Sequence, residues 1–181
     1  MKHTATYILL ATALITACGK QAIENTWAAQ ETKIESFVNA RLGEAEGAYA
    51  VYNGGSVRVT MSPGQGDSLK RGGLVSFYYA GYTLTGTSVS SSNLFWTNSQ
   101  EIATAAGREI TGTDTYTIET LPLDNDSFSE GLANGMEGVR AGGEYYILFS
   151  GKYGFGKRAV GTISAKSALV YHIWVESISN E

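Results

Sequence analysis

Few residues of this chain can do covalent or metal chemistry. It holds one cysteine, Cys18, and two histidines, His3 and His172. A single thiol permits no internal disulfide, and so few imidazoles leave no ligand set for structural zinc. Gly151-x-x-x-x-Gly156-Lys157 nearly spells a phosphate-binding loop. Arg158, however, stands where a magnesium-holding hydroxyl is needed, and Val160-Gly161-Thr162-Ile163 is a poor helix start. Asp124-Asn125-Asp126 hints at calcium, but no glycine follows at the sixth position, so a solvated turn is the better reading. His172, alone between Tyr171 and Ile173, reads as a surface or half-buried strand residue. What remains is aromatic and apolar material, with no nucleophile–base pair and no need of a cofactor. On residue type alone, Tyr79 and Tyr171 read as core aromatics.

Cys18 has its own context. Lys2 and His3 form a short positive start, Tyr7 to Leu14 an apolar run, and Ile15-Thr16-Ala17-Cys18 follows directly. The run has signal-peptide length and is too short to span a bilayer. A small residue before the cysteine makes the pattern a bacterial lipobox, with cleavage before Cys18 and acylation of its thiol. An ordinary signal peptide with a chance cysteine is the alternative. Residues 1–17 are then the signal, residues 18–21 a lipidated tether, and the acyl chains hold the protein to a membrane. Gly19 is not the aspartate that retains enteric lipoproteins at the inner membrane, which leans toward the outer membrane, facing the periplasm or the cell surface. The net charge is −4 and the basic residues are scattered, so nucleic acid is not an expected partner.

The elements that must position a site follow from periodicity. Ile23, Trp27, Ile34, Phe37, Val38 and Leu42 recur at helical spacing, predicting an amphipathic helix over 22–43 that Gly43 ends. From Ala48 the period is two. Ala48–Tyr52 and Val57–Met61 flank the hairpin signal Asn53-Gly54-Gly55. Leu74–Leu84, Thr115–Thr120, Glu144–Phe149 and Ala168–Ile178 are further strands. Residues 88–112 are polar and read as loop, and Ser127-x-x-Glu130 reads as a capping box opening a short helix through Leu132 and Met136. With 22 glycines and 11 tyrosines, the domain over 48–181 is expected to be α+β and rich in strands and turns. Tyr146, Leu148, Val170 and Trp174 alternate out of phase with Tyr171, leaving an apolar outer face that the helix around Trp27 and Phe37 should cover.

Several short motifs occur in a telling order. They are Gly64-Gln65-Gly66-Asp67, Lys70-Arg71-Gly72-Gly73, Val75-Ser76-Phe77-Tyr78-Tyr79-Ala80-Gly81, and Val89-Ser90-Ser91-Ser92. Then come Phe128-Ser129-Glu130-Gly131-Leu132, Tyr153-Gly154-Phe155-Gly156, Ile163 and Ala168-Leu169-Val170-Tyr171. Over roughly residues 55–178 this order resembles the FKBP-type peptidyl-prolyl isomerases. With the acylated cysteine and the helix, the whole resembles the FKBP-type lipoproteins of Bacteroidetes. The resemblance implies a twisted antiparallel sheet wrapped around one short helix, with a proline-binding pocket between them. It implies that proline-containing segments of exported proteins are the partners, bound by a chain expected to be monomeric.

By the resemblance, Tyr79 and Tyr171 are pocket aromatics, Phe128 stands at the helix entrance, and the backbone N–H of Ser129 binds a ligand carbonyl. Ile163 belongs to the pocket wall. Val89-Ser90 occupies the place of the family's phenylalanine–aspartate pair, Leu132 that of its floor tryptophan, and Phe155 that of a hydrogen-bonding tyrosine. The stretch 93–127 is longer than the family usually has. These departures predict a weak isomerase. The alternative is an inactive FKBP-like lipoprotein that binds a peptide or protein.

Overall fold

The computed structural model describes residues 4–108 and 116–180, with side chains described from Lys20 onward. The chain begins with one long helix, α1 (Thr4–Leu42). Residues 22–42 are thus helical, and Gly43 follows the end of the helix as expected. Residues 18–21, read as a tether, are helical too, since Lys20, Gln21 and the flanking Ala17 and Ala22 are good helix formers. The Cys18 side chain lies outside the described set.

Seven strands form one antiparallel sheet: β1 (Tyr49–Asn53), β2 (Ser56–Ser62), β3 (Leu74–Thr83), β4 (Leu94–Thr97), β5 (Glu119–Pro122), β6 (Glu144–Phe149) and β7 (Leu169–Ser179). Their order is β1-β2-β6-β7-β3-β4, and β5 also pairs with β3. The β1–β2 turn is the expected two-residue hairpin, with Gly54 and Gly55 at φ 54° and 80° and Asn53 opposite Ser56. Two short helices complete the fold, α2 (Gln100–Ala105) and α3 (Glu130–Met136).

Two cores lie on opposite faces of the sheet. Inside, α3 packs on Tyr145, Ile147 and Phe149 of β6, with Val75, Phe77, Leu169, Tyr171 and Ile173 beside them. Outside, Ile34, Phe37 and Val38 of α1 cover Val57, Val59, Tyr146, Leu148 and Val170, and Phe37 meets Tyr146 edge-on at 5.5 Å. The apolar outer face therefore has its helical cover. Strand β6 is buried on both sides, and its run of apolar residues follows from that.

α3 holds two glycines, poor helix formers, for a packing reason. A Cβ on Gly131 would fall 2.3 Å from Phe149 Cγ, and one on Gly135 would fall 2.1 Å from Ile147 Cγ2. Bare backbone lets the helix press against β6. Its C-terminal carbonyls are taken by the buried Arg58 of β2, whose Nη1 donates to Gly135 O at 2.9 Å and also to Glu137 O.

On the outer face His172 is stacked between Tyr146 and Trp174, with ring centroids at 4.0 and 3.9 Å, and its Nε2 lies 2.7 Å from Glu144 Oε1. Burial outweighs the carboxylate and lowers the imidazole pKa below its usual value, and Arg41 of α1 adds to the lowering. The hydrogen bond to His172 in turn holds Glu144 below the usual carboxylate range. The folded protein therefore carries a neutral His172 that donates to Glu144. The unfolded chain binds a proton at His172 first, near pH 6.5, so this site's contribution is intact above that value and is lost as pH falls. Glu144 loses its share at still lower pH. Urea midpoints should fall between about pH 7 and pH 5, and His172→Phe should remove most of the fall above pH 5.5. An unchanged slope in the variant would contradict this.

Candidate functional site

A hollow of about 880 Å³ opens on the inner face, between the sheet, the N-terminal end of α3 and the loop after β6. Its back is Tyr171 of β7, whose ring lies 6.2 Å from Tyr79, 5.6 Å from Phe95 and 5.9 Å from Phe149. Phe77 joins Phe128 to this aromatic set at 5.9 Å. Leu132 and Phe155 complete the apolar lining, and Glu119, Glu130 and Arg158 stand among the polar residues that line it.

Tyr79 is fixed through its backbone. Its N–H donates to Asn98 Oδ1 at 2.7 Å, and its carbonyl accepts from Thr97 Oγ1 at 2.6 Å. The buried Asn98 also donates to the carbonyls of Phe77 and Thr117, so one amide ties β3 to the chain leading into β5. Burial, helped by Glu119, pushes the Tyr79 hydroxyl up to about 12. Burial likewise raises Tyr171, with Tyr79 adding a little. Both hydroxyls stay protonated at neutral pH, and among the described residues neither has a hydrogen-bond partner, so each is a donor available to a ligand.

At the opposite wall Ser129 is the N-cap of α3 in extended conformation (φ −62°, ψ 153°). Its N–H makes no hydrogen bond among the described residues, and its buried Oγ has no partner. The expected capping box is absent. Asp124 Oδ1 instead accepts from the N–H groups of Asp126 and Ser127 at 3.1 and 2.7 Å, closing a turn before the helix starts at Glu130. The helix thus begins later than Ser127, and Ser129, a residue lining the hollow, keeps an N–H unbonded among the described residues.

Six of the residues named from sequence line this hollow together: Tyr79, Phe128, Ser129, Leu132, Phe155 and Tyr171. Ile163, 6 % exposed, packs in the same cluster just behind the lining. Val89 and Ser90 do not belong to the site. They border a separate hollow of about 170 Å³ with Tyr82, Leu94 and Ile102, and Ser90 Oγ accepts from the Ser92 N–H to cap a 3-10 turn over Ser91–Asn93. The aromatic sought at Val89 is supplied by Phe95. Its ring fills the space a Cβ on Gly81 would take, 2.4 Å from Phe95 Cε2. The signal was present in Leu94-Phe95-Trp96-Thr97, a short apolar run inside a polar stretch, opposite a glycine of β3. Residues 88–112 are thus not all loop, because Leu94, Thr97 and Ala103 are buried and fix β4 and α2. Of the strand expected at Thr115–Thr120, the structure places β5 at Glu119–Pro122, and Thr115 lies outside the described residues.

The FKBP-type peptidyl-prolyl cis-trans isomerase family model matches residues 66–176. The chain belongs to that family. Its fold is similar to several solved structures: FkpA from Escherichia coli has a TM-score of 0.56 at 16% identity, covering 98% of this chain and 72% of that one. A peptidyl-prolyl cis-trans isomerase from Pseudomonas syringae pv. tomato gives 0.57 at 17% identity, covering 87% and 96%. The N-terminal domain of FKBP42 from Arabidopsis thaliana gives 0.53 at 13% identity, covering 73% and 93%. Likeness at these identities bears on the fold. No curated protein sequence matches the chain. Within the FKBP domain, the hollow lies between the sheet and the short helix α3.

Proposed function

We propose that this FKBP domain isomerises X-Pro bonds of exported proteins while held to the cell envelope, in the lipoprotein form, through acylated Cys18. The observation that carries the enzymatic part is convergence. Tyr79, Phe95, Phe128, Phe155 and Tyr171 line one hollow together with Ser129, whose backbone N–H is unbonded among the described residues. Rotation about the C–N bond faces a barrier of about 18–20 kcal/mol because the planar amide is resonance-stabilised and polar. An apolar wall favours the twisted, less polar form over the planar one, and the Ser129 N–H with a tyrosine hydroxyl can hold the turning carbonyl. No bond is broken, so the absence of a nucleophile in the wall is no obstacle.

A second reading, a peptide-binding lipoprotein without turnover, is favoured by Phe155, which has no hydroxyl to donate. A protease-coupled assay on an X-Pro peptide separates the two. We expect measurable turnover that Tyr79→Ala reduces roughly 5- to 150-fold, since that change removes both a ring and a donor, together worth about 1–3 kcal/mol. No turnover with retained peptide binding would leave the binding reading. Fractionation of cells carrying wild type and Cys18→Ala checks the anchor, with loss from the membrane pellet expected for the variant. The outer membrane is the site this reading favours.

A further inference from the structure

The loop over 151–166 carries Phe155 and Arg158 of the hollow's lining, and Ile163 behind it. Its two ends meet on one side chain of α1. The Gly151 N–H donates to Gln30 Oε1 at 2.9 Å, and Gln30 Nε2 donates to the Lys166 carbonyl. Within the loop, the Lys166 N–H donates to Gly156 O at 2.7 Å and the Gly156 N–H to Gly151 O at 2.8 Å, so the neck is a closed set of polar contacts. Trp27, one turn before Gln30 and 9 % exposed, backs it. Its Cζ3 lies 2.8 Å from where a Cβ on Gly151 would stand. Lys166 is the one non-glycine with positive φ, 62°, among the described residues. Such a conformation persists only where the surroundings hold it.

We propose that Gln30 is a positioning residue for this loop, which makes α1 a working part of the isomerase site as well as the cover of the outer face. The proposal rests on the isomerase reading above and extends it. A carboxamide donates and accepts at once, and here it meets a backbone N–H at one end of the loop and a backbone C=O at the other. Both groups stand outside the sheet ladders, so each loses its partner if the side chain goes. Phe155 lies only four residues from one clamped end. Slack at the neck therefore moves a wall of the site, and small misplacements of such groups cost rate.

Two variants and a control test this in the full chain. Gln30→Met keeps the length without polar atoms. Gln30→Glu still accepts from Gly151 but turns a carboxylate oxygen toward the Lys166 carbonyl. Phe37→Leu loosens α1 against Tyr146, on the outer face and away from the loop. At a temperature where all are folded, both Gln30 variants should speed backbone amide exchange within 151–166 about tenfold, with β3 and β7 unchanged. They should also lower kcat/KM on the X-Pro peptide about fivefold, while Phe37→Leu alters neither. Loop exchange in Gln30→Met no faster than in Phe37→Leu would overturn the proposal. Equal kcat/KM in those two variants would overturn it as well. If wild type turns over no peptide, the isomerase reading is what fails, and loop exchange alone then decides the clamp.

Discussion

Leu132→Trp combined with Phe155→Tyr should raise kcat/KM on an X-Pro peptide by roughly 5- to 150-fold. Both positions line the hollow, and both fall short of what the family resemblance calls for, a floor tryptophan and a hydroxyl donor. A ring contact and a neutral hydrogen bond are each worth about 0.5–1.5 kcal/mol, so restoring both contributes about 1–3 kcal/mol if they act on the transition state. The sequence alone suggested a third loss at Val89. Phe95 cancels it, with its ring 5.6 Å from Tyr171, and the expected deficit shrinks accordingly. The hollow of about 880 Å³ leaves room for the larger indole. The assay is the protease-coupled one, run on both single variants and the double. No gain in any of the three would mean that neither group limits the reaction.

Gly135→Ala should destabilise the domain by about 1–2 kcal/mol, although helix propensity alone predicts a gain of about 1 kcal/mol. The added Cβ would lie 2.1 Å from Ile147 Cγ2 and 2.9 Å from Ser56 Oγ. Ile147 cannot retreat, because β6 is sandwiched between the two cores, and overpacking of such a site costs about 1–3 kcal/mol or more. A urea-unfolding series measures the difference. A rise in stability would show that α3 can lift off β6 without penalty. Since α3 also carries Phe128 and Ser129 at its start, a shifted helix should weaken peptide binding in the same variant.

Much of the architecture was legible because its signals are periodic and local. Alternation in Leu74–Thr83 and Leu169–Ser179 marks the two long strands, and Gly54-Gly55 marks the hairpin. The period of Trp27, Ile34 and Phe37 announced a helix, and the apolar outer residues of β6 and β7 announced where it lands. What failed to show depended on tertiary partners. Leu94-Phe95-Trp96 and Ile102-Ala103 are short apolar runs in polar surroundings, too brief to show a period, so β4 and α2 had no periodic signature. The pairing of Phe95 with Gly81 requires knowing that two strands lie side by side. Ser127 matched a capping pattern, but Asp124 accepts from the Ser127 N–H that the Glu130 side chain would have to take. Gln30 is an unremarkable polar residue of a helix until the neck of a distant loop is brought against it.

The sheet has α1 on one side and the aromatic hollow on the other. In the anchored form proposed above, the tether joins the domain through α1, on the face opposite the hollow. Under that proposal, an X-Pro segment would reach the mouth of the hollow without threading past the tether. The same division lets the helix hold the rear of the active loop through Gln30 while leaving its front clear.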